Sequence, residues 1–179
     1  MPRLPVTERL TFFELTPEDA AHVFALNSDP EVIKYTGDPP FASVSEAQSF
    51  LENYTDYRDN GYGRWGLGTV EEPFIGWCGL KLHGDGSVDL GFRLMRQHWN
   101  QGYATEAGIA SLQYGFHELE IEEVIGRAMK VNIGSIHVLK KLGMTFLRLE
   151  SNDLHNAEVY HIHKNTFLNH VTAEPPRLI

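Results

Sequence analysis

Cysteine is almost absent from this sequence, with Cys78 the single one among 179 residues. One cysteine cannot form an internal disulfide framework, so the composition is compatible with a reducing compartment. Long apolar runs are missing too, because no stretch approaches the roughly 20 residues that a transmembrane helix needs. The opening residues MPRLPVTERL lack the apolar core of a signal peptide. We therefore expect a cytoplasmic protein with no membrane partner.

Positive charge is also scarce, with 15 Lys and Arg against 24 Asp and Glu and a formal net charge of −9. A nucleic-acid partner requires a basic stripe to neutralise phosphates, and none is present, so we expect no nucleic-acid binding. An acidic surface would suit a cationic acceptor, but mild acidity also simply keeps proteins soluble. The charge balance therefore does not identify a substrate.

Neither common glycine-rich nucleotide motif occurs around Gly102: no Lys-Ser/Thr pair follows it, and the segment is not GxGxxG. Residues 88–107, VDLGFRLMRQHWNQGYATEA, instead predict a strand, a polar turn that contains Gly102, and a helix that begins at 103–105. The first N–H groups of a helix lack intrahelical acceptors, and the helix dipole attracts anions there. The segment therefore predicts a phosphate site made of main chain.

The remaining pattern predicts an alternation of strands and helices along one domain, residues 1–179, with a core at about 7–168 and a loosely held tail at 170–179. Strands are predicted at 9–15, 63–70, 74–82, 87–94, 123–129, 145–150 and 157–164, and helices at 16–27, 43–57, 103–119 and 132–142. The order β-α-α-β-β-β-α-β-α-β-β indicates an α/β fold, a central mixed sheet with helices on both faces.

Two motifs in this order resemble those of the GNAT family of N-acetyltransferases. The run Trp99-Asn100-Gln101-Gly102-Tyr103-Ala104 is similar to the family's pyrophosphate-binding pattern Gln/Arg-x-x-Gly-x-Gly/Ala, with Trp99 in the first position. Asn132-Ile133-Gly134-Ser135 and the following VLKKLGM at 138–144 resemble the branch that includes the ribosomal-protein N-terminal acetyltransferases. The segments TERL at 7–10 and LTPEDA at 15–20 are similar to that branch's first strand and helix. The GNAT fold has the element order predicted above.

The resemblance implies acetyl-CoA as cosubstrate and no metal. The strand before the phosphate site would splay from its neighbour and offer main-chain groups to the pantetheine arm, although an ordinary buried strand would have the same pattern. The backbone N–H near Leu94 would donate to the thioester carbonyl and to the oxyanion formed on attack. The implied cofactor-binding residues are Phe92, Arg93, Leu94, Trp99, Asn100, Gln101, Gly102, Tyr103, Ala104, Thr105, Asn132 and Ser135.

Catalytic roles also follow from the resemblance. Many relatives protonate the leaving thiolate with a tyrosine, but the matching position here is Leu139, so Ser135 is the best remaining donor. Helix capping is the alternative role for Ser135, and a plain turn role is the alternative for Asn132. Asp89 lies where relatives place an acidic base, although it would equally suit a solvated strand position. An amine attacks only as the neutral form. An α-amino group therefore needs little help from a base, because its pKa of about 7.7–8.0 leaves it partly neutral.

The function that these residues imply is direct transfer of acetyl from acetyl-CoA to a primary amine in a ternary complex. The acceptor would be a protein N-terminus or a small amine, and relatives allow a homodimer. One alternative is an acyl-CoA-binding sensor or interaction module with little turnover, which the missing tyrosine would suit. A second alternative is a hydrolase that uses Ser135 and His137.

Several further residues have a structural explanation. Cys78 lies in an apolar strand and is expected to be inert. His161 and His163 share a strand face, but no third ligand stands at a useful spacing, so no metal site is predicted. Glu106 suits the start of a helix through its charge. His98 would contact either phosphate or solvent. The aromatic cluster would form either an acceptor pocket or core, and its members are Tyr54, Tyr57, Tyr62 and Trp65.

Overall fold

The computed structural model describes residues 4–151 and 156–167. The strands in this part of the chain are β1 Thr11–Phe13, β2 Arg64–Gly68, β3 Gly76–Leu82, β4 Val88–Leu94, β5 Glu123–Met129, β6 Thr145–Ser151 and β7 Asn156–His163. The α-helices are α1 Ala20–Ser28, α2 Pro30–Ile33, α3 Val44–Glu52, α4 Asp56–Asn60, α5 Tyr103–His117 and α6 Ile133–Lys141. Short 3-10 helices, Pro17–Asp19 and Arg96–His98, lead into α1 and into the turn before α5.

All seven strands form one sheet in the order β1-β2-β3-β4-β5-β7-β6. Every neighbouring pair is antiparallel except β4 and β5, which run parallel. A mixed sheet is therefore confirmed. Pairing between β3 and β4 runs the full length of both strands, whereas β4 and β5 are paired at Asp89 and Ile125. The sheet therefore opens between β4 and β5 beyond that point.

Helices cover both faces of the sheet, as the sequence predicts. On one face α5 packs closely enough that a Cβ added to Gly115 would lie 2.7 Å from Leu80 of β3. The side chains of Trp65, Leu112 and Phe116 are fully buried in that core. On the other face a second core forms between α1, α3 and the sheet around Leu26 and Leu51. β4 contributes Val88, Leu90 and Leu94 to the first of these cores.

Two predicted boundaries are wrong, and local hydrogen bonds explain both. The strand predicted at 9–15 is β1, residues 11–13, because the Arg9 side chain turns to α5 and the Leu15 N–H donates to the Tyr57 hydroxyl. The helix predicted at 43–57 is split into α3 and α4. The Asn53 amide donates to the Ser49 carbonyl at 2.7 Å and ends α3 there.

The predicted tail at 170–179 lies outside the described residues, as do residues 152–155 between the strands predicted at 145–150 and 157–164. Among the helices of residues 4–151 and 156–167, we find none with the length and apolar character needed to cross a membrane.

Candidate functional site

A cleft of about 900 Å³ occupies the opening between β4 and β5. Its walls are β4 from Asp89 to Leu94, the start of α5, the end of β5 and the start of α6. The cleft contains all of the sequence-predicted site residues except Gln101, whose side chain instead donates to the Gln97 carbonyl at 2.7 Å. The structure therefore brings together residues from two motifs that are separate in sequence.

The exposed main chain of β4 faces this cleft. The Met95 N–H donates to the Ile75 carbonyl at 2.9 Å, so the odd-numbered residues of β4 direct their N–H groups toward β3. Backbone groups alternate along a strand, and the N–H groups of Phe92 and Leu94 consequently point toward β5. Because β5 has diverged there, these donors face the cleft. This is the arrangement that the family resemblance led us to expect.

The turn before α5 has a conformation that exposes helix N–H groups. Gly102 caps the helix with φ +81°, and Asn100 also has positive φ, at +60°. The Glu106 N–H donates to the Gly102 carbonyl at 3.0 Å and begins the helical ladder. The N–H groups of residues 103–105 precede that bond and have no acceptor within the helix. Together with the helix dipole, they have the geometry that favours an anionic group such as a phosphate or pyrophosphate.

Trp99 connects the phosphate site to β4. Its indole N–H donates to the Leu94 carbonyl at 2.8 Å, and its side chain lines the cleft. This bond satisfies the carbonyl at the open edge of β4 and leaves the neighbouring N–H groups as donors. Trp99 therefore sets the position of the turn relative to the strand.

Glu106 of α5 binds Thr7 and Arg9 of the segment that precedes β1. Its carboxylate accepts from the Thr7 hydroxyl at 2.6 Å, from the Arg9 N–H at 3.1 Å and from Arg9 Nε at 2.6 Å. Arg9 also donates to the Gln101 carbonyl at 3.0 Å and lies 4.5 Å above the Tyr103 ring. The position of Glu106 at the start of α5 suggested a structural role. The structure shows that Glu106 orients Arg9, which in turn binds the outer side of the turn before α5.

Replacing Glu106 with alanine should lower the free energy of unfolding by about 2–3 kcal/mol, because the charged Arg9 guanidinium and two neutral donors lose a largely buried partner. Urea denaturation followed by circular dichroism measures this loss. Glu118→Ala, at the exposed end of the same helix, is the control and should change the free energy by less than about 0.5 kcal/mol. Equal effects of the two substitutions would contradict the structural role of Glu106.

The start of α6 contributes a second wall. Asn132 is the helix cap, and its side-chain carbonyl accepts from the Ser135 N–H at 3.1 Å. The Asn132 amide group and the Ser135 hydroxyl both remain at the cleft. Because Asn132 performs the capping, the Ser135 hydroxyl is not needed for it. Leu139, at the position of the usual tyrosine, is buried and also lines the cleft.

The geometry of α6 does not favour a hydrolase. Ser135 and His137 are two positions apart on the helix, so their side chains are separated by about 200° around its axis. Both line parts of the broad cleft, but they do not face each other as a nucleophile and its base must.

Asp89 lies in the cleft within an ion-pair network. Its Oδ1 is 2.7 Å from Arg64 Nη2 and 3.0 Å from His83 Nε2, and its Oδ2 is 4.0 Å from Arg127 Nη1. Asp89 is buried, so it is not a solvated strand residue. Both contacts of 3.0 Å or less involve Oδ1, so Oδ2 has more room to accept a further hydrogen bond.

The cleft also contains residues to which sequence reasoning gave no role. Arg64, Arg127 and Glu150 line it beside Asp89, and Glu31 and Tyr35 line it near α2. The Arg127 Nε donates to Glu150 at 3.0 Å, while its Nη1 is buried without a hydrogen-bond partner among the described residues. No local motif marks these positions. Strand pairing alone brings them together.

Three members of the aromatic cluster, Tyr57, Tyr62 and Trp65, belong to the core or pack against it, and none of the four lines the cleft between β4 and β5. Trp65 and Tyr62 are buried among the core residues. The Tyr54 hydroxyl accepts from the Arg64 N–H at 2.7 Å, and the Tyr57 hydroxyl accepts from the Leu15 N–H at 3.2 Å. These hydroxyls therefore satisfy main-chain donors at the ends of strands.

His98 and Cys78 are both buried. His98 lies 3.2 Å from Glu72 rather than facing solvent. Burial raises the pKa of the Cys78 thiol to about 11, which keeps the thiol protonated and inert at neutral pH. The structural role expected for Cys78 is consistent with this position.

Comparison with known proteins agrees with this geometry. A family model described as an acetyltransferase (GNAT) domain matches residues 9–145. An uncharacterized N-acetyltransferase, p20, of Bacillus licheniformis is 34% identical over 140 residues, 76% of this chain and 79% of that protein. The FsC-acetyl coenzyme A-N(2)-transacetylase of Aspergillus fumigatus is 30% identical over 182 residues, 95% of this chain and 69% of that protein.

Solved structures have the same fold. The spermidine N-acetyltransferase of Vibrio cholerae, crystallised with CoA and spermine, superposes with a TM-score of 0.77 at 18% identity, over 91% of this chain and 100% of that one. A GNAT-family acetyltransferase of Bacillus anthracis gives a TM-score of 0.78 at 23% identity, over 91% of this chain and 99% of that one. The solved structures show the shared fold, and the family match over residues 9–145 together with the relatives at 34% and 30% identity shows that the chain belongs to the GNAT family of N-acetyltransferases, and is thus an acyltransferase.

Proposed function

We propose that this protein transfers acetyl from acetyl-CoA directly to a primary amine while both are bound. The observation that carries the proposal is the continuous open edge of β4, whose free N–H donors lead to the exposed N-terminus of α5. A pyrophosphate fits the α5 end, and an amide-containing pantetheine arm fits the strand edge. We further propose that residues 1–179 act as one domain, and that the same site serves a cytoplasmic enzyme.

The bound cosubstrate would supply the activated acetyl group, and residues of this chain would position it. The N–H groups of residues 103–105 bind the pyrophosphate, with Gly102 permitting its close approach. The Asn132 amide binds the pantetheine arm. The Leu94 N–H donates to the thioester oxygen and more strongly to the charge that develops there on attack. The main-chain donors are preorganised, because β4 and α5 fix them before any ligand arrives.

Two side chains have proposed roles in proton transfer. The Ser135 hydroxyl donates its proton to the leaving thiolate and takes up another from water, and its place at the cleft wall supports this. Asp89 accepts the amine's proton, directly or through water, at Oδ2. The acceptor needs only modest help if it is an α-amino group, since a fraction of such groups is neutral at pH 7. The requirement for Asp89 would be greater with a lysine-like amine.

The charges of the cleft favour an amine that stands next to a carbonyl or carboxylate. Its lining carboxylates Asp89 and Glu150 are paired with arginines, and Glu31 is paired with Lys34, which leaves little negative charge for a polyamine. Arg127 Nη1 lies 4.0 Å from Asp89 Oδ2 but has no hydrogen-bond partner among the described residues, so it is a donor that a carbonyl oxygen can satisfy. We therefore propose a peptide N-terminus or a small amino compound as acceptor. The resemblance to ribosomal-protein N-terminal acetyltransferases suggests the former.

Arg127→Gln should raise KM for the acceptor about tenfold, because a hydrogen bond to a charged donor contributes about 1.5 kcal/mol. The KM for acetyl-CoA should stay within about twofold. Steady-state kinetics with both substrates varied measures the two constants. Arg148→Gln is a matched control, since Arg148 binds the same Glu150 at 2.5 Å without lining the cleft. Loss of affinity for acetyl-CoA instead of the acceptor would contradict the role of Arg127.

The test of the proposed function is mass spectrometry of products from a panel of N-terminal peptides, amino compounds and polyamines with acetyl-CoA. The proposal requires amide-linked acetyl and stoichiometric free CoA. Firm CoA binding with no product across the panel would instead support an acyl-CoA-binding sensor or interaction module. Leu139, buried where many relatives carry a proton-donating tyrosine, is the feature that favours such a module. A homodimer, also proposed from relatives, would appear in light scattering.

A further inference from the structure

A cluster of two histidines and a glutamate lies on the sheet away from the acetyl-transfer cleft. His161 and His163 project from one face of β7, and Glu123 projects from the start of β5. The ladder pairs Glu123 directly with His163, and Ile125 with His161, so all three share one sheet face. Sequence spacing hides this group, because 38 residues separate Glu123 from His161.

We propose that Glu123, His161 and His163 form a binding site for a divalent transition-metal ion of the zinc type. Two imidazole nitrogens and one carboxylate oxygen are a donor set that Zn²⁺ accepts readily, whereas Mg²⁺ and Ca²⁺ favour sites made of oxygen alone. Three protein ligands leave further positions for water. This site is independent of the proposed acetyl transfer.

The distances fit an ion with small adjustments. Glu123 Oε1 lies 2.7 Å from His161 Nδ1 and 3.3 Å from His163 Nε2, and the ligand atoms all lie within 4.8 Å of one another. Ligands held about 2.1 Å from a tetrahedral ion are about 3.4 Å apart. Rotations of the side chains therefore suffice to open the group around an ion, and the strand backbones need not move.

The setting also favours binding. The three residues belong to adjacent hydrogen-bonded strands, so folding has already ordered their backbones, and little further entropy is lost when an ion binds. The side chains of His163 and Glu123 are 56% and 42% exposed, which leaves a path for the ion and room for water ligands. The side chain of His161 is 22% exposed and forms the more buried side of the site.

The site is too far along β5 to take part in the transfer chemistry. Cleft-lining residues of β5 begin at Arg127, four positions after Glu123 and thus about 13 Å along the strand. A bound ion would instead link β5 to β7. It would stabilise the half of the sheet that lies beyond the opening at β4, because an ion that binds only the folded chain raises its stability.

Calorimetric titration of the chelator-treated full chain with Zn²⁺, and separately with Mg²⁺, tests the proposal. We expect one Zn²⁺ per chain, no Mg²⁺ binding, and affinity for Zn²⁺ at least about tenfold lower in Glu123→Gln or His163→Ala. His117→Ala removes an exposed histidine at the end of α5 and should leave the affinity unchanged. Equal Zn²⁺ affinity in the wild type and both site variants, or no binding to the wild type, would overturn the proposal.

A second readout protects this test against misfolded variants. Zn²⁺ should raise the thermal unfolding midpoint of the wild type and of His117→Ala but not that of Glu123→Gln. Affinity for acetyl-CoA should be the same in all of these proteins, which reports that each is folded. If Zn²⁺ raised the thermal unfolding midpoint of Glu123→Gln as much as that of the wild type, the ion would bind elsewhere and the proposed site would be wrong.

Discussion

Gly102→Val should lower the affinity for acetyl-CoA about 100-fold or more, the largest loss that we expect from any single substitution. Gly102 has φ +81°, a conformation that a β-branched residue adopts only with strain. An added Cβ would also lie 3.3 Å from Arg9 Nη2, which holds the outside of the turn. Relief of this strain would turn the first N–H groups of α5 away from the pyrophosphate. Two lost charge-assisted hydrogen bonds account for the expected magnitude.

The matched control is Gly86→Val. Gly86 has φ +84° in the turn between β3 and β4, and nothing lies within 4 Å of an added Cβ. Both variants should lose about 1–2 kcal/mol of stability through backbone strain, but only Gly102→Val should lose binding. Calorimetry with acetyl-CoA and urea denaturation measure the two effects separately. A folded Gly102→Val protein with wild-type affinity would show that the turn before α5 does not hold the pyrophosphate.

Ser135→Ala should reduce kcat about 10- to 100-fold and leave the dissociation constant of acetyl-CoA within about twofold. Proton donation contributes about 100-fold or more in many enzymes, but a thiol with a pKa near 8.5 leaves fairly easily, so the lower end is expected here. The fold should tolerate the change, because Asn132 rather than Ser135 caps α6. Rapid-quench kinetics with one saturating amine separates the chemical step from product release.

Ser135→Thr is the conservative control, since it keeps a hydroxyl at the same position and should recover most of the lost rate. If the alanine and threonine variants were equally slow, bulk at this position rather than proton donation would explain the loss. An alanine variant with unchanged kcat and affinity would remove Ser135 from the mechanism. Water or another cleft group would then protonate the thiolate.

Local sequence signals predicted the fold and the turn that leads into α5 at the cleft. The alternation of strands and helices, the glycine in the turn at 102 and the helix predicted at 132–142 each depend on residues close together in the chain, and the structure contains all three, with Asn132 rather than Ser135 as the cap of that helix. The predicted ends of a strand or helix were wrong where a residue far away in the sequence forms a hydrogen bond with the main chain. The end of β1 depends on the Tyr57 hydroxyl, which lies 42 residues from Leu15.

The acceptor side of the cleft could not be predicted in this way. Arg64, Arg127 and Glu150 come from three strands, and only strand pairing sets them around Asp89. The same holds for the cluster of Glu123 with His161 and His163 on β5 and β7. A sequence scanned for ligands at short spacing shows the histidine pair and misses its third member. The register of strand pairing therefore determines which residues meet, and the periodicity of the sequence does not contain this information.

The most direct test of the account is calorimetric titration of the wild-type protein with acetyl-CoA, with ATP and NADH as controls. We expect one acetyl-CoA per chain with micromolar affinity. ATP and NADH carry phosphates for the α5 end but no pantetheine arm for β4, so they should bind at least about 100-fold more weakly, which corresponds to two lost hydrogen bonds. Absence of acetyl-CoA binding by a folded sample, or equal binding of all three, would contradict the assignment of this cleft.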